Sequence, residues 1–586
     1  MDIAVERRSA RSGTPFIVGV TGHRDLQPGE LLQLRGAVAE FVRLIRARLP
    51  ESELQFAIGM AEGADLLVAQ TILELGERVN AVLPMPLRDY AADFDAENFS
   101  LLQSLLKHPN VECDELELSS PAGGPGSDAR AAMYLNLTQT LIRRTSVLLA
   151  LWDGRPSPLP GGTADTLLRY LGVRTEREVN PEETLTFVDA SEETESTASW
   201  VYWIPARRRA DDQASTLKQP VFLSGVGENV LQMHSEPPAP FMHQLAELDD
   251  YNREYVRLSA RGDLARRDSL LDSLPAGLKL QDRTVLDHID VEYGKADALA
   301  VHFQRRSDRL FKYFSISTIA MAVAFLSYER IHESLLLLYS YLLFMVSGMA
   351  LYLVLHRKRW FGRHLMYRVI AETLRAKFYL RLSGADDLVN AREVLVLSGI
   401  DRFERFGLVS CVVKSVEPLV ARRPQPSPAE IAWIEKMWIQ SQERYFVSKV
   451  ARLQRNSARI GRLKKFVFAI ILVVIIAIVA AGDLLHHTQV GLGITLKNLL
   501  IFCMGVVAVL FGVWEIYQNK MATRELLWQY RNQLNHFSRA RLQLARSSSD
   551  NRRREIFAEL GKDSLMESYL WTIHRYHREH EPPAST

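Results

Sequence analysis

The chain has 586 residues, 47% of them hydrophobic and 24% charged, and its 71 Lys+Arg against 69 Asp+Glu leave a formal net charge of +2. That length is too great for one compact domain, and the near balance of charge gives no reason to expect a nucleic-acid partner. Three cysteines, Cys113, Cys411 and Cys503, share no CxxC spacing, which argues against a metal knot or a disulfide framework and for a reducing compartment; no metal site is expected.

Residues 1–15 read as a tail without the apolar core of a secretion signal, so the following α/β region, 16–240, is expected to stay in the cytoplasm. Phe16 to Thr21 is an apolar run of the kind a buried parallel strand needs. It ends in Gly22-His23-Arg24-Asp25, and a helix over 30–49 follows. A second strand, 54–58, leads into Gly59-Met60-Ala61-Glu62-Gly63-Ala64-Asp65 and a helix over 66–76. The third strand, 79–83, runs into Pro84. A helix over 128–144 precedes a strand over 146–152 that ends at Asp153, and Pro160-Gly161-Gly162-Thr163 turns into a helix ending near Gly172. Farther on, Glu192, Glu193 and Glu195 read as an exposed loop. Trp200 to Pro205 form an aromatic strand ahead of Arg207-Arg208-Arg209, with rings suited to stacking on a base or, more commonly, to covering a sheet edge.

Three glycine turns, each between a strand and a helix, gather at the carboxyl edge of a parallel sheet, where ligands bind in such folds. Glycine lets backbone amides approach a phosphate, and a helix N-terminus favours its negative charge. The candidate ligand-binding residues are Thr21, Gly22, His23, Arg24, Gly59, Met60, Ala61, Glu62, Gly63, Asp65, Pro84, Asp153, Gly161, Gly162 and Thr163. Arg24 is a fixed cation for a phosphate or, at even odds, solvated surface charge. Glu62 and Asp153 offer carboxylates for glycosidic-bond chemistry from another turn or, more commonly, for a ribose hydroxyl or a helix cap.

Gly19-Val20-Thr21-Gly22-His23-Arg24, the Gly59 to Asp65 stretch and Pro160-Gly161-Gly162-Thr163 together resemble the SLOG superfamily, which includes the Lonely Guy phosphoribohydrolases, the Smf-type DNA-processing proteins and the heads of TRPM channels. The match covers about the first 210 residues. It implies a Rossmann-like fold and a nucleotide-derived ligand, such as an ADP-ribose derivative or a cyclic nucleotide. Lonely Guy enzymes carry a catalytic Glu one helical step beyond the glycine turn, where this chain has Leu167, Leu168 and Arg169. Hydrolysis by that route lacks its acid, and no catalytic residue is assigned.

After a helical connector, 241–300, come four segments near the roughly 20 apolar residues a spanning helix needs: 313–328, 334–355, 466–485 and 499–517. They are expected to pair as two hairpins, one within 301–383 and one within 433–545, separated by a helical segment and Pro-rich linker, 384–432, whose Arg422-Arg423-Pro424-Gln425-Pro426-Ser427-Pro428 should be extended. A C-terminal helix and tail, 546–586, ends the chain. Basic residues such as Arg305, Arg306, Arg357, Lys358, Arg462 and Lys465 flank the expected inner ends, which places both termini in the cytoplasm. Gln304-Arg305-Arg306-Ser307 matches Gln454-Arg455-Asn456-Ser457, and Arg363-His364-Leu365-Met366-Tyr367 matches Arg524-Glu525-Leu526-Leu527-Trp528, as a duplicated unit would.

This helix, hairpin, helix layout resembles the SLATT family, two-span membrane effectors found beside nucleotide-signalling genes in bacterial conflict systems. Ser315, Ser317, Thr318, Ser340 and Ser347 are candidate pore-lining residues, although isolated hydroxyls more commonly bond to the helix backbone. The expected architecture is an α/β Rossmann-like cytoplasmic domain plus an all-α membrane domain of four spans in two hairpins, and the expected partners are a small nucleotide, membrane lipid and further copies of the chain. The expected function is a bacterial inner-membrane effector in anti-phage defence, opening a pore or disrupting the membrane on binding its messenger. The alternative is a membrane-tethered nucleotide N-glycosidase.

Overall fold

A computed structural model describes residues 13–116, 127–157, 159–173, 185–189, 199–210, 219–227, 230–264, 268–272, 274–275, 278, 280, 282–389, 394, 407–418, 425–491, 494–520, 523–547 and 549–580. Glu192, Glu193 and Glu195, together with Arg422, Arg423 and Pro424 of the expected linker, lie outside them.

The first half alternates strand and helix: β1 (Phe16–Gly22), α1 (Leu31–Arg46), β2 (Leu54–Ile58), α2 (Ala64–Glu74), β3 (Arg78–Leu83), α3 (Ala96–Leu106), β4 (Val111–Glu115), α4 (Asp128–Arg144), β5 (Val147–Trp152), α5 (Thr163–Leu171), β6 (Thr186–Asp189), β7 (Trp200–Pro205), β8 (Val221–Gly227) and β9 (Val230–His234). The strands form one mixed sheet in the order β4-β3-β2-β1-β5-β7-β8-β9-β6. From β4 to β7 every neighbouring pair is parallel, and β8 lies antiparallel to both β7 and β9. All six residues of β5, Val147 to Trp152, are buried, as expected of a strand covered on both faces. In α1 the buried residues Leu34, Val38, Phe41, Val42 and Ile45 recur at helical spacing and give the helix one apolar stripe against the sheet.

The aromatic strand β7 corrects one expectation. It lies inside the sheet between β5 and β8, with Trp200, Tyr202 and Trp203 all buried. The Trp203 indole donates to the Trp152 carbonyl at 2.8 Å, and Tyr202 stacks on Phe41 with centroids 4.4 Å apart. These rings are core; they neither cover an edge nor offer a face to a base.

The second half is helical: α6 (Ala239–Ala260), α7 (Arg283–Arg330), α8 (Leu335–Lys358), α9 (Trp360–Leu382), α10 (Gly407–Ser415), α11 (Pro428–Ala480), α12 (Leu496–Lys520), α13 (Thr523–Arg546) and α14 (Asp550–His580). Ser427 starts α11 with a reciprocal capping box to Glu430, and Arg359, at φ 46°, turns the chain between α8 and α9. Four of these helices contain stretches long and apolar enough to cross a membrane, and three of the four stretches have no buried residue. Leu335, Leu343, Phe466, Phe468 and Val479 are all more than 60% exposed, a surface that water would not tolerate on this scale.

α7 and α8 pack along one another, joined by 331–334. The second pair is looser. α12 packs mainly against α7, where the α carbon of Gly505 admits the Leu326 side chain, and it touches α11 lightly, with a Lys464–Glu515 ion pair at one end. The third apolar stretch ends at Ala480, and a short helix, Gly482–His487, follows.

Outside the apolar stretches, the start of α7 packs with α9, α9 with α14, α11 with α13, and α13 with α14, forming a helical collar. Collar and sheet share one continuous apolar core running from Phe16 to Tyr569. The expected boundary at residue 300 falls inside the unbroken 48-residue α7, which at 1.5 Å per residue is about 72 Å long. Ahead of its apolar stretch, α7 carries Lys295, 2% exposed, into a buried polar network. Its ammonium donates to the Thr14 hydroxyl at 2.6 Å and the Asn252 side-chain oxygen at 2.7 Å, and lies 3.7 Å from Glu292. The Thr14 hydroxyl donates in turn to Glu292 at 2.7 Å. Asn252 donates to the Thr14 carbonyl and to Ser52, and Ser52 donates to Asp249. Thr14 lies two residues before β1, so the network ties β1 to the helix that becomes the first apolar stretch.

Candidate functional site

β1 pairs with β2 on one side and with β5 on the other. The chain therefore leaves β1 in one direction and returns past it in the other, which opens a crevice at the carboxyl ends of β1 and β5. His23 and Asp153 meet there: Nε2 of His23 lies 3.1 Å from an Asp153 carboxylate oxygen and 3.0 Å from the Asp153 amide nitrogen. Partial burial raises the Asp153 carboxyl pKa, but the His23 hydrogen bond and charge, the Arg155 amide and Arg208 outweigh it and hold the carboxyl below its usual value.

The three glycine turns converge on α4. In the second turn Tyr90 donates to the Gly59 carbonyl at 3.2 Å, and Leu137 of α4 packs over Gly59. In the third, the α carbon of Gly161 sits against the backbone of Tyr134 and Leu135, and Thr138 donates to the Gly161 carbonyl at 3.4 Å. Arg24, from the first turn, places its guanidinium 4.8 Å from the centre of the Tyr134 ring. Tyr134 donates to Asp93, which also accepts from Arg130 at 3.0 Å. Burial pushes the Tyr134 phenol up to about 12, with Arg24 opposing and Asp93 reinforcing.

The second and third turns repeat one device. The Asp65 carboxylate accepts the Ala61 amide at 3.1 Å, and the Asp165 carboxylate accepts the Gly161 amide at 2.9 Å, each four residues back. Burial drives the Asp65 carboxyl from 3.8 to about 7 against the Ala61 amide and Arg24. Asp165 is held by Arg169 at 2.9 Å. This pairing accounts for the residues standing where the catalytic Glu was expected: Leu167 and Leu168 are fully buried, and Arg169 serves Asp165.

Several glycines are required by packing, in addition to any ligand. A Cβ at Gly22 would come 2.3 Å from that of Ala64, and one at Gly63, whose φ is +78°, would come 2.2 Å from the Arg24 carbonyl oxygen. Some expected phosphate donors are already engaged: the Ala61 amide by Asp65, the Ala64 amide by the His23 carbonyl, the Gly161 amide by Asp165 and the Gly162 amide by the Leu159 carbonyl. Pro84 and Met60 are buried, Met60 at φ 57°, whereas Thr21, Glu62 and Thr163 are partly accessible and Arg24 is exposed. The Glu62 carboxylate accepts the Asp95 amide at 2.8 Å, so it orders the loop before α3. Sequence reasoning missed Asp93, Arg130 and Tyr134, which sit in no glycine motif. The regular apolar face of α4 gave no sign that Arg130 and Tyr134 project from it toward the turns.

The candidate pore hydroxyls are also accounted for. Ser315, Thr318 and Ser340 donate to the carbonyls of Phe311, Phe314 and Leu336, each four residues back. Ser317 donates across to the Phe344 carbonyl of α8 at 2.9 Å, and Ser347 lies on the exposed face of α8. Among the described residues no cluster of His, Cys, Asp and Glu is suited to a metal ion. No known family model matches the chain, and no curated protein is similar to it in sequence.

Proposed function

We propose that the chain is a membrane effector: a Rossmann-like SLOG head binds a nucleotide-derived messenger, and two SLATT-like hairpins respond by opening a pore or breaching the bacterial inner membrane, in defence against phage. The observation that carries the reading is α7, one helix whose first half packs in the collar and is tied through Lys295 and Glu292 to Thr14 ahead of β1, and whose last third lies in the first apolar stretch. A change in the head reaches the membrane through it without a flexible joint. The crevice supports a ligand bearing both phosphate and ribose. Arg24 is the exposed cation, and the Glu62 and Asp153 carboxylates of the neighbouring turns are acceptors for sugar hydroxyls. Exposed apolar surface on α8 and α11 supports assembly of several copies in lipid, with both termini in the cytoplasm.

The test is dye release from liposomes carrying the purified chain, with ADP-ribose and cyclic mononucleotides and dinucleotides as probes. Ligand-dependent leak, lost in Arg24→Ala, is the expected result. Measurable binding without leak overturns the effector reading. The N-glycosidase alternative has no observation in its favour, since Leu167 and Leu168 are core and Arg169 is paired.

A further inference from the structure

The helical collar forms an open cavity of about 310 Å³ between α9, α11, α13 and α14, lined by no residue of the glycine turns. Ligand pockets begin at about this size. Its polar lining is unusual for the inside of a helix bundle. Gln533 is 4% exposed, and its side-chain oxygen has no hydrogen-bond partner. The side-chain oxygen of Gln529 and the indole N–H of Trp571, also on the wall, are buried without partners as well. An orphaned buried polar group costs about 1–3 kcal/mol, so three around one void call for a partner that enters it.

The charges on the wall narrow the chemistry of that partner. Glu372 pairs with Arg368 at 2.6 Å and with Arg375 at 3.0 Å, and Arg368 also reaches Asp297 at 2.8 Å. The two cations are matched by two carboxylates, so no surplus charge awaits a free phosphate. Two amide oxygens seek donors and one indole seeks an acceptor, and beside them the rings of Tyr445 and Tyr530 meet edge to face, with centroids 6.4 Å apart and planes at 69°. We infer that the collar cavity binds a nitrogen heterocycle, a nucleobase or nucleoside, whose N–H groups donate to the amides of Gln529 and Gln533 and whose ring nitrogen or carbonyl accepts from Trp571. α9 follows the second apolar stretch, α11 contains the third and α13 follows the fourth, so an occupant would clamp segments attached to three of the four. This site is separate from the head crevice and does not depend on the reading given for it.

The experiment is calorimetric titration of the full chain in lipid nanodiscs with adenosine, cytidine and AMP. Saturable binding of at least one nucleoside is expected, weakened tenfold or more by Gln533→Leu and by Trp571→Phe and unchanged by Arg24→Ala. Trp571→Phe removes the N–H and part of the ring system while keeping an aromatic side chain, and it gives a second reading should the Gln533 variant misfold. In the Arg24→Ala chain AMP should bind no more tightly than adenosine. The inference is overturned by no binding at millimolar nucleoside, which leaves a water-filled void. It is overturned equally by binding that Arg24→Ala abolishes and the collar variants leave intact, or by AMP binding the Arg24→Ala chain more than tenfold tighter than adenosine does.

Discussion

Lys295→Met tests whether the head is keyed to the membrane helix. Lys295 is 2% exposed and Glu292 4%, and burial depresses the ammonium's pKa while Glu292 holds it up. Replacing Lys295 with an apolar side chain of similar length deprives the Thr14 hydroxyl and Asn252 of a charged donor and leaves the Glu292 charge buried with the Thr14 hydroxyl as its remaining contact. Breaking one side of a buried pair costs about 3–5 kcal/mol, whereas replacing both charges is often nearly neutral. Glu292→Gln restores neutrality and keeps an acceptor for Thr14, so the double variant should recover most of the loss. Hydrogen exchange of residues 13–20 in the full chain in nanodiscs reads the local opening. At 1.4 kcal/mol per tenfold, the single variant should exchange roughly two to three and a half decades faster at the start of β1, and the double variant within about one decade of wild type. A single variant within 1 kcal/mol of wild type, or a double variant as labile as the single, would refute the reasoning, because the network would then be bystander polarity with no role in joining the two parts.

Three further outcomes follow from particular contacts. Asp65 holds its proton in the folded chain up to about pH 7, against 3.8 unfolded; the associated stability is present in full below the unfolded value and lost as pH rises through 7, about 4 kcal/mol in all at 1.36 kcal/mol per unit. Asp65→Asn removes this slope, so its thermal midpoint relative to wild type should climb between pH 5 and pH 8, and a pH-independent difference refutes the assignment. Gly161→Ala meets both φ +73° and a carbonyl carbon at 2.7 Å, whereas Gly162→Ala meets only the Leu159 carbonyl oxygen at 3.2 Å; thermal unfolding should show a loss of about 2–4 kcal/mol for the first and under about 1 for the second. Ser317→Ala removes the bond to the Phe344 carbonyl and should cost about 0.5–1.5 kcal/mol of stability in detergent, with Ser347→Ala unchanged.

The strand and helix order of the head was legible because buried parallel strands are apolar runs and amphipathic helices keep a fixed period; α4 begins and ends at the expected residues, Asp128 and Arg144. The membrane stretches were legible for the same reason, since lipid demands length and apolarity that no loop supplies. What the sequence hid depends on residues far apart in the chain. The short-range pattern of Trp200 to Pro205 is that of any aromatic strand, and its central place follows from β8 and β9 adding beyond it. Glycine turns announce close approach without saying what approaches: at Gly22 it is Ala64, at Gly63 the Arg24 backbone and at Gly161 α4. The Thr14, Asn252 and Lys295 network joins three segments more than 200 residues apart at its extremes, beyond the reach of any periodicity.

The same limit explains why the collar cavity had no trace in the sequence and why its lining constrains the mechanism. Gln529, Gln533, Arg368, Arg375 and Trp571 lie on helices that individually read as polar flanks of apolar stretches, and they come together only where α9, α13 and α14 meet, with α7 holding Arg368 and Arg375 through Asp297 and Tyr293. Arg363 to Tyr367 and Arg524 to Trp528, the segments that match as repeats, open α9 and α13, so a duplicated unit would bring the two copies together around this void. A pair of copies that pack perfectly leaves no cavity and one favoured arrangement. A pair that leaves a polar void has unsatisfied groups whose energy depends on how the copies sit, and that is the property a two-state element requires. On the proposed reading, whatever satisfies Gln529, Gln533 and Trp571 would select among those arrangements, and α7, tied to Thr14 ahead of β1 and running into the first apolar stretch, would let the head bias the same choice from the other end.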